Sequence, residues 1–371
     1  MKILMPYEKG SHHRALALLL KPMAQAKGHE VTLVDNTRVS HRIMGEQVSK
    51  TDVVVTTSPW WEYVHMWISA ARYFKKPWVY HPEGWDNAHP IISPGDEGHA
   101  KNKEWPYIPD LVCAPGHAFG RICMSRRNVL EDKIVYTGIS RFDMYGMNWE
   151  EITKDKNYFG EKDKPIVLVC TATLWDHKPM IRILCEQTKY RVIVRQHFTD
   201  PVEAYTYNKE GLDYEVVLPK GIDENSPERE HNYDPTVDDL VDYARQLYSA
   251  DVVFNVAGTS TMEALIVDTP VVNLYKVDEK AREVEHRKLF AHYGPGSHYN
   301  DVRAGDTSFL AESVEDIPNK IDMALGGMDA DRRMHVRDML YDVATLRFLN
   351  GQPTIIATER ILRAIETCVL V

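Results

Sequence analysis

Apolar positions along this chain gather into short runs of four or five residues, often β-branched, separated by stretches in which they recur every three or four positions. The short runs predict strands over 2–5, 30–34, 52–56, 78–81, 111–114 and 133–136. The periodic stretch over 15–27, stopped at Gly28, predicts an amphipathic helix between the first two. Around 148–165, NWEEITKDKNYFGEKDKP, the composition turns polar and charged. A second series then begins, with strands expected over 166–171, 191–195, 215–218, 251–255 and 271–274 and a helix over 237–248. Brief continuous apolar strands alternating with helices are what parallel sheets covered on both faces require. The expectation is an α/β protein of two doubly wound, Rossmann-like domains, over 1–150 and 151–345, with 346–371 a C-terminal helix that could pack back on the first. No repeat of solenoid period and no low-complexity tract interrupts that reading.

Length and composition agree with two domains: 371 residues are enough for two ordinary cores. No apolar stretch approaches the roughly 20 residues of a membrane helix. The opening MKILMPYEKG reads as a strand rather than a basic segment followed by a long apolar one, so a cytoplasmic protein is expected. Five cysteines, Cys113, Cys123, Cys170, Cys185 and Cys368, are odd in number and lack CxxC spacing. Buried thiols are therefore expected in place of a disulfide framework or a zinc site. A formal charge of −10 weakens non-specific attraction to nucleic acid or anionic lipid, while leaving room for a local basic face.

In doubly wound domains ligands gather at the carboxyl ends of the strands, so the segments that follow strands carry the chemistry. After the first strand, PYEKGSHHR lacks the dinucleotide fingerprint GxGxxG but places His12 and His13 where a base could meet a hydroxyl. After the fourth, WVYHPEGWDNAHP carries His81, Glu83, Asp86 and His89 around Trp85, and SPWWEYVHMW adds Trp60 and Trp61. Aromatic faces with a few polar groups suit a sugar or a nucleobase. The spacing of those His and carboxylate residues matches no established ligand set, so no metal is expected. The Asp-x-Asp in GMDAD, 327–331, lies between helical segments and reads as a loop and helix cap. Arg195 and His197 in RVIVRQHFTDP, and Gly138, Arg141 and Asp143 in YTGISRFDMY, offer bidentate guanidinium groups for a diphosphate, or simply solvated strand ends.

The most pointed segment is ADVVFNVAGTSTMEALIVDTPVVNLY, read as a strand over 252–254, a helix over 262–267 and a strand over 271–274. Gly258, Thr259, Ser260 and Thr261 make the intervening turn small and hydroxylated, so backbone N–H groups at the helix start could hold a phosphate. Ser260-Thr261-Met262-Glu263 also spells a capping box, which would spend Ser260 and Glu263 on the helix itself.

Taken in order, KGHEVTLV, PDLVCAPGHAFGRI, KIVYTGISRFD, VIVRQH and the ADVVFNVAGTSTMEALIVDTPVVNL segment resemble the GT-B fold of nucleotide-sugar glycosyltransferases. The nearest branches hold nucleotide-sugar 2-epimerases, lipid A disaccharide synthase-like enzymes and CDP-glycerol glycerophosphotransferase-like enzymes. The resemblance implies two domains facing a cleft, with a nucleotide diphosphate sugar, expected to be UDP-linked, held by the C-terminal one. It places Gly258, Thr259, Ser260 and Thr261 at the phosphates, Glu263 at the ribose, and Arg195 and His197 beside the donor. Gly138 and Arg141, with Asp143, fall in the turn entering the second domain. It further implies no metal and no cofactor, and a base from the N-terminal domain among His12, His13, Glu83 and Asp86, in loops that depart from the family's usual form. The activity implied is sugar transfer to the hydroxyl of a glycan, a lipid-linked sugar or a modified nucleobase, nucleic acid entering only as acceptor. A 2-epimerase, a glycerophosphotransferase using His81 or His12 as base, and a non-catalytic nucleotide binder are the alternatives.

Overall fold

A computed structural model describes residues 1–7, 14–35, 39–57, 62–82, 108–127, 129–171, 176–197, 200, 211–220, 235–256, 258–274 and 306–370. The chain divides into two compact units, Met1–Met147 with Leu340–Val371, and Asn148–Met339.

The first unit is built on a six-stranded parallel sheet: β1 (Lys2–Tyr7), β2 (Glu30–Asp35), β3 (Val53–Thr56), β4 (Trp78–Tyr80), β5 (Leu111–Ala114) and β6 (Ile134–Tyr136), in the order β2-β1-β3-β4-β5-β6. Alternation along each strand sends Ile3, Met5, Val53, Val55, Val79, Leu111 and Cys113 to one face. There they meet α1 (Arg14–Ala26) and the C-terminal helix, Ala357–Leu370. Leu4 and Val54 turn to the other face, against α2 (His41–Ser49) and α3 (Glu62–Tyr73). Trp78, Tyr80, Val112 and Ala114 share that face with α4 (His117–Arg127). Both faces are covered, which is why the strands read as unbroken apolar runs.

After β6 the chain turns through Gly138 into α5 (Ser140–Met147). Gly138 has φ +97°, and a Cβ there would come within 2.9 Å of the Ala357 Cβ, so glycine satisfies both the backbone and the packing. Asp143 on α5 accepts from the N–H groups of Ile356, Ala357 and Thr358 at 3.1, 3.0 and 2.6 Å. Those are donors that the start of the final helix would otherwise leave unpaired.

The second unit opens with α6 (Trp149–Thr153) and holds β7 (Ile166–Cys170), β8 (Arg191–Arg195), β9 (Glu215–Val217), β10 (Val252–Asn255), β11 (Val271–Leu274) and β12 (Phe309–Ala311). Its order, β12-β11-β10-β7-β8-β9, is all parallel and is the doubly wound dinucleotide-domain order, reversing between β7 and β10. The connecting helices include α7 (Lys178–Glu186), α8 (Val237–Ser249), α9 (Thr259–Ile266), α10 (Ile317–Leu325) and α11 (Ala330–Ala344), followed by α12 (Ala357–Leu370) in the first unit.

Three expectations change. The helix after β10 starts at Thr259 instead of 262, because the hydroxyl residues enter its first turn. Strand β12, Phe309–Ala311, is not expected from the sequence: its apolar run is only three residues long and follows polar residues. Cys113, Cys123 and Cys170 are buried thiols, but Cys185 and Cys368, near helix ends, are partly exposed. In GMDAD, Asp329 accepts from the Arg332 N–H at 2.7 Å, at the start of α11. Among the described residues no helix is long and apolar enough to cross a membrane.

Candidate functional site

The strand order of the second sheet reverses between β7 and β10, and doubly wound sheets take their ligands outside the carboxyl ends of the strands at such a point. What surrounds it begins with the turn into α9. Gly258 occupies the N-cap with φ 172° and ψ 171°, extended backbone that needs no glycine, and among the described residues no side chain caps the helix. A Cβ there would meet only the end of the Asn255 side chain, at 3.4 Å. Small size at this position leaves the N–H groups at the helix start open to an incoming group.

The capping-box reading of Ser260 and Glu263 is thereby corrected. Ser260 lies inside α9, and its Oγ accepts from the Tyr243 hydroxyl on α8 at 2.7 Å. Thr261 Oγ1 donates to Asn273 Oδ1 on β11 at 3.0 Å, both groups buried. The hydroxyl side chains thus fix the helix sideways to its neighbours, while its N-terminus stays uncapped. Glu263 is buried one turn further on and lies close enough to Tyr243 and Cys170 to influence both.

From β8 comes Arg195, whose guanidinium carbon sits 4.1 Å from the centre of the Tyr243 ring. Its Nε is buried without a hydrogen-bond partner among the described residues. A stacked guanidinium has its orientation set in advance and keeps its donors for an anion. Beneath lies Cys170 at the end of β7, its thiol pushed up to about 11 by burial, with Arg195, Tyr243 and Ser260 acting in the opposite direction. Burial likewise raises the Tyr243 phenol well above its ordinary range, so the hydroxyl remains a donor.

The turn after β8 is held by side chains. Thr171 Oγ1 donates to Asp200 Oδ2 at 2.7 Å and accepts from the His197 N–H at 2.7 Å. Gln196 Nε2 donates to the Asp200 carbonyl at 3.1 Å. Burial lowers the His197 pKa to about 3, with the charges of Arg195 and His177 adding to the effect. Burial raises that of Asp200, against the hydrogen bonds from Thr171 and His197. His197 is consequently neutral at pH 7, beside a fixed positive charge.

Arg195, His197, Gly258, Thr259, Ser260, Thr261 and Glu263 therefore share one end of the second sheet. Gly138 and Arg141 belong to the first unit, where Gly138 packs on Ala357 and Arg141 is buried in α5. His12, His13, Glu83 and Asp86 lie outside the described residues. Sequence reading passed over Tyr243, Cys170, Thr171 and Asp200; a tyrosine in the middle of an amphipathic helix carries no signal of the arginine it will stack against.

At the carboxyl end of β4 in the first unit, His81 is fully buried. Its Nδ1 lies 3.1 Å from the Cys113 carbonyl oxygen, which fixes the tautomer with the proton on Nδ1 and the lone pair on Nε2. Nε2 has no partner among the described residues, and burial lowers the pKa to about 4, against the Cys113 hydrogen bond.

No protein-family model and no curated protein matches the sequence. Solved structures do resemble it. UDP-N-acetylglucosamine 2-epimerase from Rickettsia bellii superposes with a TM-score of 0.64 at 12% identity, covering 100% of this chain and 97% of its own. UDP-GlcNAc 2-epimerase from Neisseria meningitidis, bound to UDP-GlcNAc, gives 0.60 at 13% identity, covering 99% and 100%. The wall teichoic acid polymerase TagF gives 0.57 at 12% identity, covering 100% and 88%. The likeness runs through both units and establishes the fold, two Rossmann-like domains of GT-B type.

Proposed function

We propose that the protein transfers a sugar from a nucleotide diphosphate sugar to an acceptor hydroxyl. The observation that carries this is the uncapped start of α9 at the order reversal of the second sheet, with the stacked Arg195 beside it. Oriented N–H groups and a guanidinium are the means by which a diphosphate is held and its leaving charge stabilised. In this reading Gly258, Thr259, Ser260 and Thr261 surround the phosphates, and Glu263 meets the ribose hydroxyls. The diphosphate charge is met by protein groups, without a metal or an organic cofactor.

In the reaction the acceptor oxygen attacks the sugar C1, the bond from C1 to the diphosphate oxygen breaks, and the nucleoside diphosphate leaves with the electron pair. The acceptor proton passes to a base of the N-terminal domain. His12, His13, Glu83 and Asp86 are the bases that the family resemblance offers. UDP is the expected nucleotide, in keeping with the UDP-GlcNAc bound to the Neisseria enzyme.

Epimerisation at C2 is the second reading, favoured by fold agreement with two 2-epimerases, a likeness of scaffold that fixes no chemistry. The two separate in one experiment: incubation with UDP-GlcNAc in D2O, with the sugar read by mass spectrometry and NMR. Solvent deuterium at C2 supports the epimerase. A retained C2 proton with release of UDP in the presence of a hydroxylated acceptor supports transfer.

A further inference from the structure

At the end of the first sheet opposite the strand carboxyl ends, a cavity of about 940 Å³ is lined by the end of α3, the segments leading into β4, β5 and β6, and one face of α12. Its wall carries six cationic side chains, Arg72, Lys75, Lys76, Lys133, Arg360 and Arg363, against two carboxylates, Asp110 and Asp132. In a chain of net charge −10 such a concentration needs a reason.

Part of it is internal. Arg72 Nη1 donates to both oxygens of Asp110 at 3.0 Å, and Asp110 also accepts from the Trp78 N–H at 2.9 Å, so this pair ties α3 to the sheet. Arg363 pairs with Glu359 one turn away on α12. Lys75, Lys76, Lys133 and Arg360 have no ion pair or hydrogen bond from their side chains among the described residues. The chain places two of them by a helix stop: Lys76 N–H bonds to the Ala71 carbonyl and Lys75 takes the left-handed position with φ 53°. The same lining includes the apolar side chains of Pro77, Leu111, Val135 and Ala364. A lining that combines cationic with apolar side chains is poorly served by water or a simple counterion, because neither covers the apolar part.

We infer that this cavity binds an amphiphilic anion, a molecule with a phosphate or carboxylate head and an apolar body. The head is met by Lys75, Lys76, Lys133 and Arg360, the arginine contributing a planar fork suited to either group. The body covers Leu111, Val135 and Ala364, in a space within the range of small-molecule sites. The site lies in the first unit and does not depend on the nucleotide reading of the second.

Calorimetry of the full protein with dodecyl phosphate, below its micelle concentration, tests this beside inorganic phosphate, uncharged dodecyl maltoside and phosphatidylglycerol vesicles. The expected result is one dodecyl phosphate per chain, weakened about tenfold by Lys133→Glu or Arg360→Glu, with far weaker binding of phosphate or maltoside alone. Cys368 lines the same cavity and gives a second readout that needs no variant. Burial raises its pKa, with Asp110 adding and Lys133 opposing, so alkylation is followed at about pH 8.5. Dodecyl phosphate should slow labelling of Cys368 several-fold and leave Cys185 unchanged. Unprotected Cys368, variants that bind as well as wild type, inorganic phosphate binding as tightly as dodecyl phosphate, or binding to vesicles alone would each overturn the inference.

Discussion

The guanidinium carbon of Arg195 lies over the ring of Tyr243, 4.1 Å from its centre, and the hydroxyl of that ring donates to Ser260 in the first turn of α9. A strand end, one helix and the start of another are locked into one arrangement before any ligand arrives. Arg195→Lys keeps the charge and loses the stacked fork, so nucleotide affinity is expected to fall about tenfold or more with little change in melting temperature. Tyr243→Phe keeps the stack and loses the hydrogen bond to Ser260. It should cost about 1 kcal/mol of stability and only a few-fold in affinity, by urea titration and calorimetry.

Gly258→Ala separates backbone need from access. Since φ is 172°, alanine fits the backbone, and its Cβ meets only the movable end of Asn255 at 3.4 Å. The fold should persist while nucleotide binding weakens by at least several-fold, as the methyl group would stand in the path of the proposed diphosphate. Unchanged binding would mean that the helix start is not approached closely.

Acid should destabilise the protein in a window set by His81. Its folded pKa is lowered to about 4, whereas an unfolded histidine titrates near 6.5. Its contribution is fully present above about pH 6.5 and is lost as pH falls toward about 4, in all roughly 3 kcal/mol. His197, lowered to about 3, acts in the same direction. Asp143 and Asp200, both raised, act oppositely, because their folded forms take up protons more readily than the unfolded chain. Comparing wild type with His81→Gln at pH 7.5 and 5 isolates the histidine: the variant should lose less stability over that interval. Equal losses would contradict the buried, neutral state of His81.

Asp143→Ala removes the acceptor for three N–H groups at the start of α12. A loss of roughly 2 to 4 kcal/mol is expected, with Asp143→Asn intermediate because an amide oxygen still accepts. Nucleotide affinity should not change, since the carboxylate serves the packing of the first unit. Reduced affinity at full stability would assign Asp143 to the ligand instead.

The sheets were legible in the sequence because parallel strands buried on both faces must be continuous apolar runs, as in VVVT at Val53–Thr56 and IVLVC at Ile166–Cys170. The junction of strand and helix near Gly258 was legible, since glycine and hydroxyl residues between apolar runs mark such a point, but Thr259 to Thr261 enter the helix instead of forming a turn. Its competing interpretation as a capping box was not resolvable there, because the same Ser-x-x-Glu spacing serves a cap or a sideways anchor. Only the position of Tyr243, seventeen residues earlier on another helix, decides it. The cationic cavity was hidden for a similar reason: Lys76, Lys133 and Arg360 are far apart in the chain, and their convergence is a property of topology. The overall negative charge concealed it further.

Calorimetric titration of UDP, GDP, CDP, ADP and dTDP into wild type and Arg195→Ala, in EDTA, tests the central claim most directly. One nucleotide should bind wild type and lose at least about tenfold in affinity to Arg195→Ala, with the variant still folded. No binding by any of the five, or equal binding to both proteins, would contradict a nucleotide site at the start of α9.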